Sequence, residues 1–353
     1  MHVPIIIGSG LSGLSAANYL LDNGVKPIII EADIIGRIKV CGEFFSHESI
    51  PFLRKWDIPF LEIKKANFIT INNNYSLNFP VTSASASRSI TESLLAQRAI
   101  KLGAQIYEKT FVQEIIPAKT NNDKHYVTLS SGQILVADKL IITTSKLPFL
   151  NSVKTFVPNY IGIKAHFTNI VMPNELNMYM LPRAYMGVTY INASTVNICC
   201  LAKKNLVDKF GSVDLFMQHF FAGFDDLKKI SKTGIRVNTS WLTTPIGSFG
   251  KKSVPDWPNS YCIGDAIASI CPAAGNGLAM GLTAGVMAAQ HIIFNKQTDF
   301  KNEWNLRYSK RLKYAEFLHS LFISPFKANI AFKFVNLFPF TSNVMYKLTR
   351  DNY

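Results

Sequence analysis

A glycine-rich turn close to the N-terminus constrains the fold more than any other feature of the sequence. The motif G-S-G-L-S-G at residues 8–13 follows an apolar run at residues 5–7 and opens a segment, residues 11–23, whose apolar residues recur at helical spacing. Gly24 is placed to end that helix, and a second apolar run at residues 28–30 follows it. A strand, a tight turn, a helix and a second strand in this order predict a βαβ unit with parallel strands.

The spacing of the glycines predicts a dinucleotide site on this unit. Gly8 permits the tight turn, Gly10 lets the backbone approach a pyrophosphate, and Gly13 allows the helix to pack closely on the strand. The helix N-terminus presents free N–H groups and a positive dipole end to the phosphates. Glu31, at the end of the second strand, can accept hydrogen bonds from ribose hydroxyls. The alternative is a glycine turn without a ligand.

Length and composition bound the class of protein. The chain has 353 residues, of which 48% are hydrophobic, and this size predicts one large domain or two interleaved domains. The formal charge of +14 suits nucleic acid, anionic lipid or an acidic cofactor. The sequence has neither zinc-ligand spacing nor a nucleic-acid-binding signature, so we expect no metal site and no nucleic-acid partner.

The cysteines and the N-terminal segment bear on the compartment. The cysteines number 5 and form no C-x-x-C pair, which favours reduced thiols in a cytoplasmic protein. Residues 4–7 lead directly into the glycine turn without a basic segment before them, so a strand rather than a secretory leader is predicted. The most apolar late stretch, residues 318–339, contains Lys327 and Lys333, so a membrane span is not predicted.

A change in the pattern after residue 150 predicts a second domain. Four short β-like stretches between residues 161 and 201 favour a largely antiparallel sheet inserted in the first domain. The fold class predicted is therefore α/β. Its parts are a Rossmann-type cofactor domain (residues 1–66, 87–150 and 250–300), a β-rich substrate domain (67–86 and 151–249) and a basic, aromatic helical tail (301–353).

Further motifs along the chain carry a family resemblance. They are R-I-K-V-C-G-E at residues 37–43, Arg88 with Glu92, G-D-A at residues 264–266 and P-A-A-G-N-G at residues 272–277. With the N-terminal glycines, they make residues 1–300 resemble the geranylgeranyl-reductase-like branch of the FAD-dependent oxidoreductases, which share the p-hydroxybenzoate hydroxylase fold.

The resemblance implies non-covalent FAD. It places Asp265 at the ribityl chain, the glycine loop around Asn276 at the pyrimidine edge of the flavin, and residues 37–41 against the isoalloxazine and pyrophosphate. The predicted FAD-binding residues are Gly8, Gly10, Leu11, Ser12, Gly13, Glu31, Arg37, Lys39, Cys41, Arg88, Gly264, Asp265, Gly275, Asn276 and Gly277.

Catalytic residues are not assigned by the sequence, which offers only Cys41 and His166 as candidates. Cys41 is either a small buried apolar residue or a thiol near the flavin. Lys164 and His166 share one face with Gly162 if this segment is a strand. A histidine on such a face is more often structural than catalytic.

Two departures from related enzymes narrow the chemistry. Thr143 and Thr144 stand where many relatives have an Ala-Asp-Gly motif that contacts FAD and NAD(P)H, so direct reduction by NAD(P)H stays open. The Trp-x-Trp-x-x-Pro signature of flavin halogenases is absent, so halogenation is not expected.

The function predicted is that of an FAD-dependent oxidoreductase acting on a hydrophobic substrate of the lipid, isoprenoid or polyketide type. Its reaction is C=C reduction, dehydrogenation in reverse, or oxygen insertion. The alternatives are a flavin monooxygenase of the hydroxylase type and an FAD-binding scaffold without turnover. The tail from Trp304 to Arg350 interleaves Phe with Lys and Arg, which suits either weak contact with anionic membranes, as a peripheral protein, or a helical cap on the core.

Overall fold

A computed structural model of the chain describes residues 3–144, 157–296, 299–338 and 340–350. The strands are β1 (Pro4–Ile7), β2 (Ile28–Ile30), β3 (Phe44–Phe45), β4 (Leu61–Thr70), β5 (Asn73–Ser85), β6 (Gln105–Tyr107), β7 (Val112–Ile116), β8 (His125–Leu129), β9 (Ile134–Ala137), β10 (Lys139–Ile142), β11 (Tyr160–Thr168), β12 (Leu176–Leu181), β13 (Ala184–Tyr190), β14 (Val196–Lys203), β15 (Ile235–Arg236), β16 (Leu242–Ile246), β17 (Gly250–Lys251), β18 (Ser260–Cys262) and β19 (Ala268–Ser269).

The helices are α1 (Leu11–Asp22), α2 (Ile50–Lys55), α3 (Arg88–Lys101), α4 (Lys204–Val207), α5 (Val213–Ala222), α6 (Asp225–Thr233), α7 (Gly277–Ile293), α8 (Phe300–Phe322), α9 (Pro325–Leu337) and α10 (Phe340–Leu348). Short 3₁₀ turns at Gly264–Ala266 and Pro272–Ala274 precede α7. In the described part of the chain, no helix is long and apolar enough to cross a membrane.

The first sheet contains the predicted βαβ unit. Its five strands lie in the order β18-β10-β1-β2-β6, and all its pairings are parallel. Ile5 and Ile6 are both fully buried, as expected for a parallel strand covered on both faces. Helix α7 packs so closely on α1 that a side chain at Gly285 would collide with Ser15. The Rossmann-type prediction is therefore confirmed.

The second sheet is largely antiparallel, as predicted. Its strands follow the order β15-β11-β14-β13-β12-β4-β5-β3, with β16 also paired to β11, and β12–β4 is a parallel pair. Because side chains alternate across a strand, each strand contributes to two layers. Ile163 and Ala165 of β11 belong to an apolar core shared with α5 and α6, while Lys164 and His166 lie on the opposite face.

Several local predictions need correction. Strand β4 begins at Leu61 and lies wholly in the second sheet, so the predicted domain boundary after residue 66 falls inside a strand. Helices α5 and α6 occupy a region expected to be mainly β, because the β-like stretches behind that expectation all lie between residues 161 and 201, before these helices begin. The predicted boundary at residue 150 lies outside the described residues.

The tail is helical, as predicted, and its helices pack over the second sheet. Phe322 of α8 and Phe332 of α9 contact Phe68 of β4, with ring centroids 5.6 and 4.7 Å away. Phe332 also stacks on Tyr75 of β5 at 5.2 Å. The tail therefore covers the face of the sheet that α5 and α6 leave open.

Candidate FAD and substrate site

The predicted dinucleotide turn joins β1 to α1. Gly8 has φ +99°, a conformation that favours glycine, and a side chain there would collide with the Thr143 hydroxyl. That hydroxyl donates to the backbone oxygens of Ile7 at 3.0 Å and Gly8 at 3.1 Å. Thr143, one of the two residues that replace the Asp-Gly motif of relatives, thus closes the turn.

The other two motif glycines have different surroundings. A side chain at Gly13 would collide with the Gly8 carbonyl oxygen, so Gly13 is needed for helix and turn to touch. A Cβ at Gly10 would meet only Arg88, whose Nη2 lies 3.8 Å away, an ordinary contact distance. The space above Gly10 is therefore open on the side where the helix N-terminus points.

The remaining residues of the turn pack against the 3₁₀ turn at Gly264 and against the end of β2. Leu11 is buried, and Ser12 lies so close to Gly264 that a Cβ there would be 2.5 Å from its hydroxyl. Glu31, at the end of β2, accepts hydrogen bonds from Ser9, 2.8 Å from the backbone nitrogen and 2.7 Å from the hydroxyl. The Glu31 carboxylate is thus held beside the turn, where the predicted contact with a ribose requires it.

Arg88 and Lys39 share one buried carboxylate. Glu92 lies 2.8 Å from Arg88 Nε and 2.7 Å from Lys39 Nζ. Burial lowers the pKa of Arg88, but the charge and hydrogen bond of Glu92, together with the nearby Cys41 and Asp265, outweigh it and raise the pKa above its ordinary value. The guanidinium therefore stays charged beside the open space at Gly10. Arg37, by contrast, forms an exposed pair with Asp33 at 2.7 Å.

A buried cluster of charges lies behind the Cys41 segment. Glu43 has φ +55°, and its Oε2 is 3.0 Å from Lys164 Nζ and 2.7 Å from His166 Nε2. Its Oε1 accepts from the Arg88 backbone N–H at 2.9 Å. Burial raises the pKa of Glu43, but the His166 hydrogen bond and the Lys164 charge outweigh it, so the pKa is below its ordinary value. Glu43 is therefore ionised although it is buried.

The same strands hold the backbone of this segment. Asn197 of β14 donates to the carbonyls of Cys41 at 3.1 Å and Gly42 at 2.9 Å, and Lys164 donates to that of Lys39 at 3.1 Å. The Cys41 sulfur accepts from the Glu43 N–H at 3.4 Å. His166, a predicted catalytic candidate, thus lies behind the segment, whereas Cys41 lines a cavity.

The second glycine loop contains the predicted flavin contacts near α7. Gly264 and Gly275 have φ +56° and +64°, and Gly277 begins α7. Asp265 is exposed, and among the described residues no hydrogen bond reaches its carboxylate. Asn276 is fully buried, and in the same described residues its Oδ1 has no hydrogen-bond partner. A buried acceptor without a partner costs free energy, so Asn276 Oδ1 is suited to accept a hydrogen bond from a bound ligand.

The tail contacts two residues of this loop and strand β13 contacts a third, and the sequence did not predict these contacts. Asn276 Nδ2 donates to the Thr349 carbonyl, and Arg350 donates to the Ala274 carbonyl at 3.2 Å. The Tyr185 hydroxyl accepts from the Ala273 N–H at 3.1 Å. The loop is therefore fixed from the side opposite the dinucleotide turn.

An apolar cavity of about 260 Å³ extends from this loop between the second sheet and the tail. Phe68, Met178 and Gly187 form part of its floor, and Phe322 and Phe332 part of its roof. Cys41, Gly42 and the loop residues Pro272–Gly275 line its end. A hydrophobic molecule in the cavity would thus reach the predicted flavin contacts.

The residues present fit FAD. The open space at Gly10, the charged Arg88 beside it and the unpartnered Asn276 Oδ1 lie in the segments that the sequence assigned to the cofactor. The sequence missed Glu43 and Asn197, because their partners lie more than a hundred positions away and only the strand alternation of Lys164 and His166 pointed to that face. Within the described residues, no cluster of side chains could hold a metal ion.

Curated relatives span nearly the whole chain. No protein-family model matches the sequence. The chain is 24% identical over 360 residues to a digeranylgeranylglycerophospholipid reductase 3 of Methanosphaera stadtmanae, covering 93% of this chain and 85% of the relative. It is 23% identical over 350 residues to a digeranylgeranylglycerophospholipid reductase of Methanococcus vannielii, covering 90% and 86%.

Solved structures share the fold. A geranylgeranyl bacteriochlorophyll reductase-like protein of Thermoplasma acidophilum has a TM-score of 0.73 at 19% identity, covering 92% of this chain and 88% of its own. A flavoprotein/dehydrogenase from Cytophaga hutchinsonii has a TM-score of 0.78 at 15% identity, covering 92% and 86%. The flavin-dependent brominase Bmp2 has a TM-score of 0.80 at 16% identity, covering 99% and 93%.

At such identities the solved structures show only that the fold is shared. The evidence for an FAD-dependent enzyme comes from the curated relatives and from the site motifs. The glycine turn, the Arg88 and Glu92 pair and the second glycine loop are the segments that the sequence assigned to FAD. The chain is similar in sequence to digeranylgeranylglycerophospholipid reductases and in fold to flavin-dependent oxidoreductases, which supports an FAD-dependent enzyme of the geranylgeranyl-reductase-like kind.

Proposed function

We propose that the protein reduces C=C bonds of an isoprenoid lipid, or forms them in reverse, with FAD bound non-covalently. The observation that carries this proposal is the apolar cavity that ends at Cys41 and at the loop Pro272–Gly275. The curated relatives are named for the reduction of digeranylgeranyl lipids, which is consistent with a long, apolar substrate.

The chain supplies binding and orientation, while FAD supplies hydride chemistry. Gly8, Gly10 and Gly13 would cradle the pyrophosphate with Arg88, and Glu31 would accept from the ribose. Asp265 would accept from the ribityl hydroxyls, and Asn276 would meet the pyrimidine edge. The cavity walls exclude water and hold the apolar chain of the substrate along the floor of the sheet.

The experiment is a product analysis with a variant that fills the cavity. Gly187 lies on the cavity floor, and a Cβ there would be 3.3 Å from the flexible Met178 sulfur, so Gly187→Leu should fold. With a chemical reductant and geranylgeranyl lipids, the wild type should yield products that gain two hydrogen atoms per bond, and Gly187→Leu should keep FAD but lose the reaction. Products that gain an oxygen atom instead would indicate a monooxygenase, and no product with an intact flavin would indicate a scaffold.

We also propose that the tail makes weak contact with anionic membranes. Phe326, Ile330, Phe334 and Leu337 recur on one side of α9, termed here the outer α9 face, and they are 75, 54, 54 and 72% exposed. Residues 317–350 contain no Asp or Glu. An exposed apolar stripe among lysines suits a surface of anionic lipid, and the inner side of the same helix roofs the cavity.

A further inference from the structure

A tyrosine in the cavity wall lies next to the second glycine loop. Tyr185 of β13 lines the cavity, is 2% exposed, and accepts a hydrogen bond from the Ala273 N–H at 3.1 Å. Burial holds the pKa of Tyr185 well above its ordinary value. The hydroxyl therefore keeps its proton at the end of the cavity where the loop lies.

A buried histidine stands behind this tyrosine. His319 of α8 has Nδ1 3.4 Å from the Tyr185 hydroxyl oxygen, and the rings of Tyr160 and Phe249 surround it, with centroids 5.1 and 5.2 Å from its own. Burial, with a smaller effect of the Lys203 charge, lowers the pKa of His319 to about 4, so the imidazole is neutral. Its Nε2 is buried and, in the described part of the chain, has no hydrogen-bond partner.

An unpartnered buried nitrogen needs an explanation, and a role in proton transfer is one. A neutral imidazole can accept a proton at one nitrogen while it donates from the other. Tyr160 and Phe249, whose rings pack on His319, are only half-buried, so His319 lies one side chain away from the protein surface on this side. By contrast, the other buried ionisable cluster near the cavity, formed by Glu43, Lys164 and His166, satisfies its charges internally.

We propose that Tyr185 donates the proton in C=C reduction and that His319 is the positioning residue that restores it. The inference rests on the proposed reductase function. Reduction adds a hydride, which the reduced FAD would supply, to one carbon and a proton to the other. The Tyr185 O–H bond breaks, the electron pair of the C=C bond forms the new C–H bond, and the phenolate oxygen keeps the pair of the broken bond. Ala273 N–H stabilises that oxygen, and His319 then passes it a proton taken from water.

The test compares two conservative variants in the full-length, FAD-loaded protein. Tyr185→Phe should lower the rate of C=C reduction about 10²- to 10⁴-fold, the usual contribution of a general acid. Because the Tyr185 hydroxyl also holds the Ala273 N–H, the rate is measured at saturating FAD, and its fall should far exceed any fall in FAD affinity. The matched control is Tyr179→Phe, since Tyr179 is also buried but lies on the opposite face of the sheet among α5 and α6. Its rate should stay within about twofold, because it cannot reach the cavity.

The solvent deuterium isotope effect tests the role of His319, because a purely structural role would leave that effect unchanged. In D₂O the wild-type rate should fall and one solvent deuterium should enter each reduced bond. With His319→Phe the rate should fall and the solvent isotope effect should increase, whereas His319→Gln, which restores a hydrogen-bonding group, should recover part of the rate. Full activity of Tyr185→Phe would overturn the proposal, whatever the activity of Cys41→Ala. Absence of C=C reduction in the wild type would instead count against the proposed function.

Discussion

The Nε2 atom of His166 lies 2.7 Å from Oε2 of Glu43, where both side chains are almost wholly shielded from water. The same carboxylate oxygen lies 3.0 Å from Lys164 Nζ. These contacts join the segment that contains Cys41 to the second sheet, and so tie the cofactor side of the molecule to the cavity floor.

Glu43→Gln should destabilise the protein by about 3–5 kcal/mol, because it leaves the buried Lys164 ammonium without its counter-charge. The control is Asp208→Asn, which breaks an exposed pair with Lys204 and should cost about 0–1 kcal/mol. Urea unfolding of the two variants and the wild type measures both values. Equal, small losses would mean that the buried cluster contributes little to stability.

The stability of the wild type should depend on Glu43 in acid. The pKa of Glu43 in the folded state is below the ordinary value of 4.5. Its contribution to the free energy of unfolding is therefore complete above pH 4.5 and is lost as the pH falls through the lower pKa of the folded state. Glu43→Gln lacks this contribution at every pH. The difference in unfolding free energy between the two proteins should therefore shrink below pH 4.5, and a constant difference down to strong acid would contradict the assignment.

The two motif glycines should respond differently to substitution. Gly10→Val should leave the fold intact, because a Cβ there meets only Arg88 at 3.8 Å, yet abolish FAD binding by occupying the approach of the pyrophosphate. Gly13→Ala should lower the melting temperature even without FAD, because its methyl collides with the Gly8 carbonyl. Thermal unfolding and FAD titration separate the two effects. If Gly10→Val still bound FAD, the pyrophosphate would have to bind elsewhere than at this turn.

Features formed by residues close together in the sequence could be predicted, whereas contacts between distant residues could not. The βαβ unit is fixed by residues 4–31, so its strand, turn and helix were all foreseen. The shared face of Lys164 and His166 followed from strand alternation, and the structure confirms it. Their partner Glu43 could not be foreseen, because the pairing spans 123 positions and depends on how the second sheet packs against the first domain.

The role of the tail shows the same limit. The sequence left a membrane contact and a helical cap as alternatives. The structure shows that the inner side of α9 covers the cavity and that the outer α9 face is exposed. Phe332 points to the cavity, whereas Phe334 is exposed. Composition alone could not separate these faces, since phenylalanines occur on both.

The outer α9 face should govern membrane binding. The double variant Phe326→Ser and Phe334→Ser should reduce cosedimentation with anionic vesicles, and binding of the wild type should weaken as salt rises, because each basic residue near such a surface contributes about 1 kcal/mol within a Debye length. Phe111→Ser is the control, since Phe111 is 55% exposed and lies just before β7. Equal binding to neutral vesicles, or no effect of the double variant, would count against the contact.

Asp265→Ala should weaken FAD binding about ten- to a hundredfold without unfolding the protein, since losing a charged acceptor costs about 1.5–3 kcal/mol. Its carboxylate is exposed, and no hydrogen bond reaches it from the described residues. Asp256→Ala is the control, because Asp256 forms only an exposed pair with Lys301. An unchanged FAD affinity would mean that Asp265 has no contact with the ribityl chain.

We propose that FAD bound at these two glycine loops exchanges electrons with a lipid in the apolar cavity. The most direct measurement is an anaerobic single turnover, in which the chemically reduced protein is mixed with a geranylgeranyl lipid and the flavin absorbance is followed. We expect the oxidised flavin spectrum to return on addition of the lipid, with one bond saturated per flavin, and we expect Gly187→Leu to prevent this. A flavin that stays reduced in the presence of every isoprenoid lipid, yet is reoxidised by oxygen, would contradict it.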